Sequence, residues 1–395
     1  MHRFNDIGPY RWRTSNPSAP GCMRAARDEE VDEAFSSDYM QDVGNAVGEA
    51  YNDGLMRSAR EHRPDGSTFM DIVNSEVTLG MYAGAFWRKH RNVIAIDPAL
   101  VTLLDQTDAE ELPLSAIRYP FPFFYVAFPT DNGMALPGPA NELDGAYIDV
   151  RHDGVLQILL TSRRLDRQPS KRNYPRVVEH VVAFSGEPDP DETVGDFMRR
   201  LTDEKIDGLR KQHGIWTRIA EEANASEFGH AAGRHITQVA DENNVARAAH
   251  AEEVLPLTLR AVSLVMNVLC YLSTDHGQAN DWSPRPPHKL QQRLHQGTEK
   301  QRRQAREDAF KLGILPIRVV GRGILTEAES AILADRTVRP HWRRGHIRRV
   351  QVGAGRERTE VRWIRPVIVN SHKGDPIGVH VHTVEIAPPG DGAVH

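Results

Sequence analysis

The longest apolar run of the sequence, Pro256 to Leu272, constrains the fold more than any other segment. It is apolar nearly all round, a pattern typical of a helix that is buried on every side. Pro256 suits the first position of such a helix. The run is short for a bilayer span and carries Arg260, so the sequence favours a core helix over a membrane helix. We therefore expect a soluble protein whose other elements pack around this helix.

Runs of β-branched and aromatic residues, bounded by turn residues, precede this helix and predict strands. His152-Asp153-Gly154 lies between two of the runs and indicates a hairpin. Prolines flank the first run, which predicts an edge position for that strand. The runs suggest one antiparallel sheet and comprise 123–128, 146–150, 155–160 and 177–184.

Helical patterns lie on both sides of the predicted sheet. Asp97 and Pro98 indicate a helix start, with Asp97 as the N-cap and Pro98 at the first helical position. The sequence thus predicts an α+β fold, with helices around an antiparallel sheet and a small basic C-terminal β-rich module. The predicted parts are a partly helical N-terminal extension over 1–64, a mixed helix and antiparallel-sheet core over 65–280, a basic linker helix over 281–312 and the basic C-terminal module over 313–395.

The net charge of −5 is distributed unevenly along the chain. Ten arginines lie between Arg336 and Arg365, where two glutamates are the only acidic residues, so this segment has a net charge of +8. A second basic segment, Arg285 to Arg306, has seven Lys or Arg against one Glu. A basic patch on an acidic body attracts a phosphate backbone or an acidic peptide.

His341 and His346 lie within the arginine-rich segment and permit three chemical interpretations. A metal site is the weakest, because no Cys or carboxylate ligand lies near the pair. A metal-independent ribonuclease could use both histidines for general acid–base catalysis and Arg344 or Arg348 to stabilise the phosphorane charge. A binding surface could use the arginines to hold phosphates or carboxylates, with Trp342 as a packing platform.

We favour the binding interpretation. Trp363 lies in a segment that alternates apolar and basic residues, which predicts a core position for its indole. For Trp342 a core position and a contact position are equally consistent with the sequence. The arginines, rather than the histidines, are therefore the stronger candidates for contact with a ligand.

Signatures of conventional catalysis are missing from the sequence. It contains no His-Glu-x-x-His motif, no Gly-x-Ser-x-Gly elbow, no P-loop and no Rossmann fingerprint. Gly353-Ala354-Gly355 indicates a hairpin turn rather than a phosphate-binding loop, because no strand-to-helix context surrounds it. No cofactor is predicted. The two cysteines have no partner spacing, which suits a reducing cytoplasm.

The segment Arg339-Pro340-His341-x-Arg343-Arg344-Gly345-His346 is similar to a stretch found in one known family. Gly353 and Gly355 follow it, as a Gly-x-Gly turn follows the stretch in that family. The third matching element is Val361-Arg362-Trp363, Pro366 and Val369-Asn370-Ser371. The combined pattern resembles the second named family of type V-A anti-CRISPR proteins, which phages and other mobile genetic elements carry. The resemblance covers about 65–371.

The resemblance implies host defence evasion by binding rather than by catalysis. Family members are thought to recognise the N-terminal part of an emerging effector polypeptide and to lower its messenger RNA during translation. The implied partners are the nascent polypeptide of a bacterial defence effector and the ribosome or messenger RNA near it, in the cytoplasm and away from membranes. A metal-independent ribonuclease or RNA-binding protein that uses the Arg/His cluster is the alternative. The predicted binding residues are Arg339, His341, Trp342, Arg343, Arg344, His346, Arg348, Arg349, Arg362 and Trp363.

Overall fold

A computed structural model describes most of the chain between residues 7 and 369. The described residues are 7–16, 18–26, 36–58, 69–136, 141–152, 154–164, 181–189, 191–204, 255–274, 278–322, 341–343, 345–364 and 367–369. Arg339 and Arg344, two of the predicted binding residues, lie outside them.

The helices occur in three groups along the chain. An N-terminal group precedes the first strand, a single short helix follows that strand, and the remaining helices lie between or after the later strands. They are α1 (Gly8–Ser15), α2 (Ala19–Ala25), α3 (Ser37–Ser58), α4 (Phe69–Ala85, continued by a π-helical turn at Phe86–His90), α5 (Pro98–Asp105), α6 (194–204), α7 (Leu255–Leu272), α8 (His288–Gln296) and α9 (Glu299–Lys311).

The strands form one large sheet and two small ones. They are β1 (Val93–Ile96), β2 (Thr107–Asp108), β3 (Phe123–Ala127), β4 (Asn141–Val150), β5 (Leu156–Arg164), β6 (Val181–Gly186), β7 (Gln278–Ser283), β8 (Leu315–Val320), β9 (His341–Arg343), β10 (Gly345–Val352), β11 (Arg358–Ile364) and β12 (Val367–Val369). Together with the helices they confirm the predicted α+β class.

The large sheet has the strand order β6-β5-β4-β3-β1-β8-β7. It is mixed rather than antiparallel throughout, because β1 pairs in parallel with both β3 and β8. The predicted edge position of β3 is wrong, since β3 lies between β1 and β4. Pro122 and Pro129 flank the strand without occupying it, so neither removes a hydrogen bond from its ladder.

The predicted basic linker helix over 281–312 begins instead with a strand, because β7 (Gln278–Ser283) pairs with β8 at the end of the large sheet. The single basic helix expected there is two helices separated by Gly297. Thr298 caps α9 in a reciprocal capping box with Gln301. Leu290 and Leu294 of α8 are buried, and Arg306 of α9 is exposed to solvent. The division of the chain into four parts stays a prediction.

The large sheet separates two apolar cores because successive side chains of a strand point to opposite faces. Ile94 and Ile96 of β1 face one core, which contains α5 and α7. Val93 and Ala95 face the other, which contains α1 to α4. The helix Leu255–Leu272 is the one described helix that by length and composition could span a membrane, and 56% of it is buried in the structure. Its position in the first core confirms the predicted buried helix.

A buried ionic network joins α1 to the large sheet. The Asp144 side chain is 1% exposed, and its Oδ2 accepts hydrogen bonds of 2.9 Å from both Arg11 Nη2 and the Tyr125 hydroxyl. Its Oδ1 lies 3.2 Å from Arg163 Nη1. Burial raises the pKa of the Asp144 carboxyl, but the two guanidiniums and the tyrosine hydroxyl outweigh burial and hold it below its usual value. The carboxylate is therefore ionised in the core.

Candidate binding surface

The arginine-rich segment folds as a β-hairpin. β10 and β11 pair in antiparallel fashion, with Ile347 opposite Trp363 and Arg348 opposite Arg362. The hairpin turn contains Gly353, as the sequence predicted, and this glycine has a φ of 98°. The carboxylate of Glu357 accepts a 3.0 Å hydrogen bond from the amide of Gly355 and closes the turn.

The two faces of the hairpin have opposite character. Ile347 is 3% exposed, and Val361 and Trp363 pack against the core that contains α7. We call this side the inner face. Arg348 and Arg362 alternate with these residues and are exposed, so they lie on the opposite side, which we call the outer face. The alternation of apolar and basic residues in the sequence thus gives the hairpin an apolar inner face and a basic outer face.

Trp363 anchors the inner face. Its indole Nε1 donates a 3.1 Å hydrogen bond to Thr107 Oγ1. Its ring meets that of Tyr271 edge-on, with 5.1 Å between the ring centroids. The backbone amide of Gly345 donates to the carbonyl of Gln106 at 3.2 Å and joins β10 to β2. Trp363 is therefore half-buried and packs against the core, where the sequence predicted a position within it.

Helix α7 stabilises the segment to which the hairpin is anchored. Asn267 Nδ2 donates to the carbonyls of Leu104 and Thr107, at 2.9 Å and 2.7 Å. Arg260 forms two hydrogen bonds with the Asp105 carboxylate, and these bonds raise the pKa of its guanidinium. The hairpin is thus joined, through β2 and α5, to the buried helix α7. These supporting contacts could not be predicted from the sequence, because their partners lie more than 100 residues apart.

The outer face carries an excess of positive charge. Arg348 and Arg362 occupy directly opposed positions on neighbouring strands. Glu360 Oε2 lies 3.3 Å from Arg362 Nη2, and both side chains are about half exposed. Arg358 is also exposed and shares this face, since it lies two and four residues before Glu360 and Arg362. Among the described residues, no ion pair involves Arg348 or Arg358. Arg358 was not among the predicted binding residues. Its spacing from Arg362 was the sequence signal that could have placed it on the same face.

The structure separates the other predicted binding residues. His346, opposite Ile364, is half-buried on the outer face near the anchored end of the hairpin. Arg349 lies on the inner face, where its Nη2 donates a 3.1 Å hydrogen bond to Ser115 Oγ. His341, Trp342 and Arg343 form β9, which pairs with β12. The outer face thus brings together Arg348, Arg362 and His346 of the predicted set.

The strands β9 and β12 form a separate two-stranded sheet, and their residues come just before β10 and just after β11 in the chain. Arg343 pairs with Val367 and His346 pairs with Ile364, so both strands advance by three residues between the two pairs. His341 and His346 therefore lie on different strands, β9 and β10. Within the described part of the chain, no group of three or more His, Cys, Asp or Glu residues is arranged to hold a metal ion.

Replacing Gly353 by alanine should destabilise the chain. A Cβ atom would lie 2.6 Å from Glu357 Oε2, and the φ of 98° is one that alanine rarely adopts. We expect the free energy of unfolding to fall by about 1–3 kcal/mol. Denaturant unfolding followed by circular dichroism measures this change.

Gly44→Ala is the matched control for this substitution. Gly44 lies inside α3, and a Cβ atom there would meet nothing within 4 Å. The helix propensity of alanine should raise the free energy of unfolding by up to about 1 kcal/mol. A Gly353→Ala variant as stable as the wild type would contradict the turn geometry described above.

Comparison with protein-family models identifies one family. The sequence model of the Anti-CRISPR type V subtype A2 family (AcrVA2-like) matches residues 94–371, which run from β1 to just beyond β12. A comparison with curated proteins gave no match. A solved structure titled "Crystal structure of AcrVA2" aligns with 92% of this chain and 97% of that chain, at 14% sequence identity and a TM-score of 0.38. Because the family match extends over more than half of its length, the chain belongs to the Anti-CRISPR type V subtype A2 family.

Proposed function

We propose that this anti-CRISPR chain binds the nascent polypeptide of a bacterial defence effector and thereby lowers the level of the effector's messenger RNA. Membership of the anti-CRISPR type V-A family supports the inhibitory role. The observation that carries the binding step is the exposed pair of arginines, Arg348 and Arg362, held opposite each other on an anchored hairpin. The partner would meet the chain in the cytoplasm, at the ribosome.

The opposed arginines favour an anionic ligand. Like charges directly opposite each other on neighbouring strands destabilise a sheet. The inner face fixes the strands through Ile347 and Trp363, so the two guanidiniums cannot separate by unpairing the hairpin. A carboxylate bound between them would form charge-assisted hydrogen bonds with both. Because the strands are already ordered, such a ligand would bind without the entropic cost of folding the site.

The distribution of charges favours a polypeptide over RNA. Glu360 lies on the outer face beside Arg362, where it would repel a continuous phosphate backbone. A peptide can place acidic side chains beside the arginines and a neutral or basic one beside Glu360. His341 and His346, the two histidines of the ribonuclease alternative, also belong to strands of two different sheets, β9 and β10. These features support peptide binding over the ribonuclease alternative.

A reading-frame experiment tests the proposed function. Cells would express this chain together with a messenger that encodes the N-terminal region of a type V-A effector. A second messenger would differ by one inserted nucleotide near the start codon and one deletion near the end, so that the RNA is nearly unchanged but the polypeptide differs. We expect the level of the first messenger to fall several-fold and that of the second to stay constant. An equal fall of both messengers would show that RNA, and not the polypeptide, is recognised.

Incubation of the purified chain with RNA in EDTA tests the alternative function. The proposed function predicts that the RNA stays intact. Cleavage that disappears in a His346→Ala variant would instead establish a metal-independent ribonuclease. His288→Ala, a substitution of an exposed residue at the start of α8, is the control for a contaminating nuclease.

A further inference from the structure

We propose that the polypeptide binds by strand addition along β11, as an extended segment with acidic side chains four residues apart. This inference rests on the function proposed above and specifies its mode of recognition. The small sheet has the strand order β11-β10-β2, so β11 is an edge strand. Among the described residues, no strand pairs with its outer edge. An edge strand presents unpaired N–H and C=O groups, which can form a ladder with an added strand.

The outer edge of β11 is accessible to solvent. Arg358, Thr359, Glu360 and Arg362 are exposed, whereas Val361, Trp363 and Ile364 are half-buried. The edge strand is seven residues long, enough to pair with a peptide over most of its length. In an antiparallel pair, every second residue of each strand directs its backbone hydrogen-bonding groups away from its partner. The pairing of β11 with β10 therefore directs the backbone groups of alternate β11 residues toward the outer edge, and no other strand of the described residues pairs with them.

The side chains of β11 determine which segment fits this edge. Arg358, Glu360 and Arg362 lie on one face, and Val361 and Trp363 lie on the other. An added strand places its own side chains beside these, on the same two faces. Carboxylates beside Arg358 and Arg362 must be four residues apart. The alternate residues, beside Val361 and Trp363, are best apolar.

Arg348 strengthens the preference for an acidic partner. It lies on β10 directly behind Arg362, so a carboxylate beside Arg362 is attracted by two guanidiniums. A second copy of this chain is the less suitable partner. If the β11 strands of two copies paired edge to edge, the two positively charged outer faces would lie side by side and repel each other. The charges therefore point to an acidic, extended segment of another polypeptide.

The test uses the full chain and a fluorescein-labelled peptide of sequence Thr-Val-Glu-Val-Thr-Val-Glu-Val-Thr. Its glutamates are four residues apart on one face of a strand, and its valines lie on the other. We expect this peptide to bind and a peptide with one glutamate moved by a single position to bind roughly tenfold more weakly. Fluorescence anisotropy at moderate ionic strength measures both dissociation constants.

Backbone methylation distinguishes strand addition from a purely ionic contact. In a second version of the peptide, the backbone nitrogens of consecutive central residues are methylated, so that both edges of the peptide strand lose N–H donors. This version keeps its charges but cannot donate hydrogen bonds to β11. We expect its binding to be lost. Equal binding of the methylated and parent peptides would overturn strand addition and leave the proposed function intact, because an acidic peptide would still be recognised.

Variants of the chain identify the edge. Arg358→Ala should weaken binding of the parent peptide roughly tenfold. Arg306→Ala, an exposed residue of α9, should leave it unchanged. Equal effects of the two substitutions would place the peptide elsewhere and overturn the inference. Sedimentation showing a dimer that Arg358→Ala dissociates would assign the edge to a second copy and would also overturn it. In the reading-frame experiment, an equal level of the two messengers would instead refute the proposed function.

Discussion

Replacing Asp144 by asparagine should lower the free energy of unfolding by about 3–5 kcal/mol, because it removes the carboxylate from a buried ionic network. Arg11 lies 2.9 Å from this carboxylate and Arg163 lies 3.2 Å from it, and their side chains are only 19% and 10% exposed. Asparagine preserves the shape of the side chain but leaves both cations without their common counter-charge. Denaturant unfolding of the two proteins at neutral pH measures the difference.

Asp196→Asn is the control for this substitution. Asp196 pairs with Arg199 on the surface, and both side chains are more than half exposed. Solvent screens such a pair, and the amide oxygen of asparagine can still accept the hydrogen bond that Thr193 Oγ1 donates to this side chain, so the substitution should leave the free energy of unfolding nearly unchanged. A similar loss of stability in both variants would show that the Asp144 network is no stronger than a surface ion pair.

Acidification should also distinguish the wild type from the Asp144→Asn variant. The pKa of Asp144 is lower in the folded chain than in the unfolded chain, where an aspartate has a pKa of about 3.9. The stability contributed by the ionised carboxylate is therefore complete above about pH 5 and is lost as the pH falls through the unfolded and then the lower folded value. Between about pH 5 and pH 2, the wild type should lose more stability than the variant. Parallel pH dependences of the two proteins would contradict this prediction.

Reversing both charges of the opposed arginine pair should abolish the activity of the chain. The double substitution Arg348→Glu with Arg362→Glu replaces two attractions for an acidic partner by two repulsions. We expect the dissociation constant for the acidic peptide to rise roughly a hundredfold, and the level of the effector messenger to stay constant in cells. Fluorescence anisotropy and messenger quantification check the two results.

Two controls separate loss of binding from loss of folding. Both arginines are exposed, so the unfolding transition of the double variant should remain close to that of the wild type. The pair Arg302→Glu with Arg303→Glu changes the net charge equally on α9, away from the hairpin, and should retain activity. An active Arg348→Glu/Arg362→Glu variant would exclude the outer face as the binding surface.

The sequence predicts elements whose pattern is local. The apolar run of α7 and the Asp97-Pro98 start of α5 are both confirmed, because burial all round and N-capping are visible within a few residues. The position of β3 could not be predicted in this way. Its place inside the sheet depends on parallel pairing with β1. Prolines that flank the strand leave this pairing possible and therefore do not show whether it occurs.

The candidate site was predictable in part for the same reason. Arg348 and Arg349 are adjacent and identical in type, and the alternation of a strand places them on opposite faces. Only the packing of Ile347 and Trp363 decides which of the two arginines lies on the outer face. The Asp144 network had no sequence signal, since its partners at Arg11 and Arg163 approach it only after the sheet and α1 have assembled.

The parallel pairing of β1 with β8 sets an order for folding during synthesis. β1 ends at Ile96, whereas its neighbour β8 ends at Val320. More than two hundred residues of chain must therefore leave the ribosome before this side of β1 is paired. Long-range pairing of this kind slows folding, because a large loop must close before the contacts form. The two ends of the large sheet thus form at different times. The strands β1, β3, β4 and β5 can pair early, whereas β8 and β7 pair late and complete the sheet.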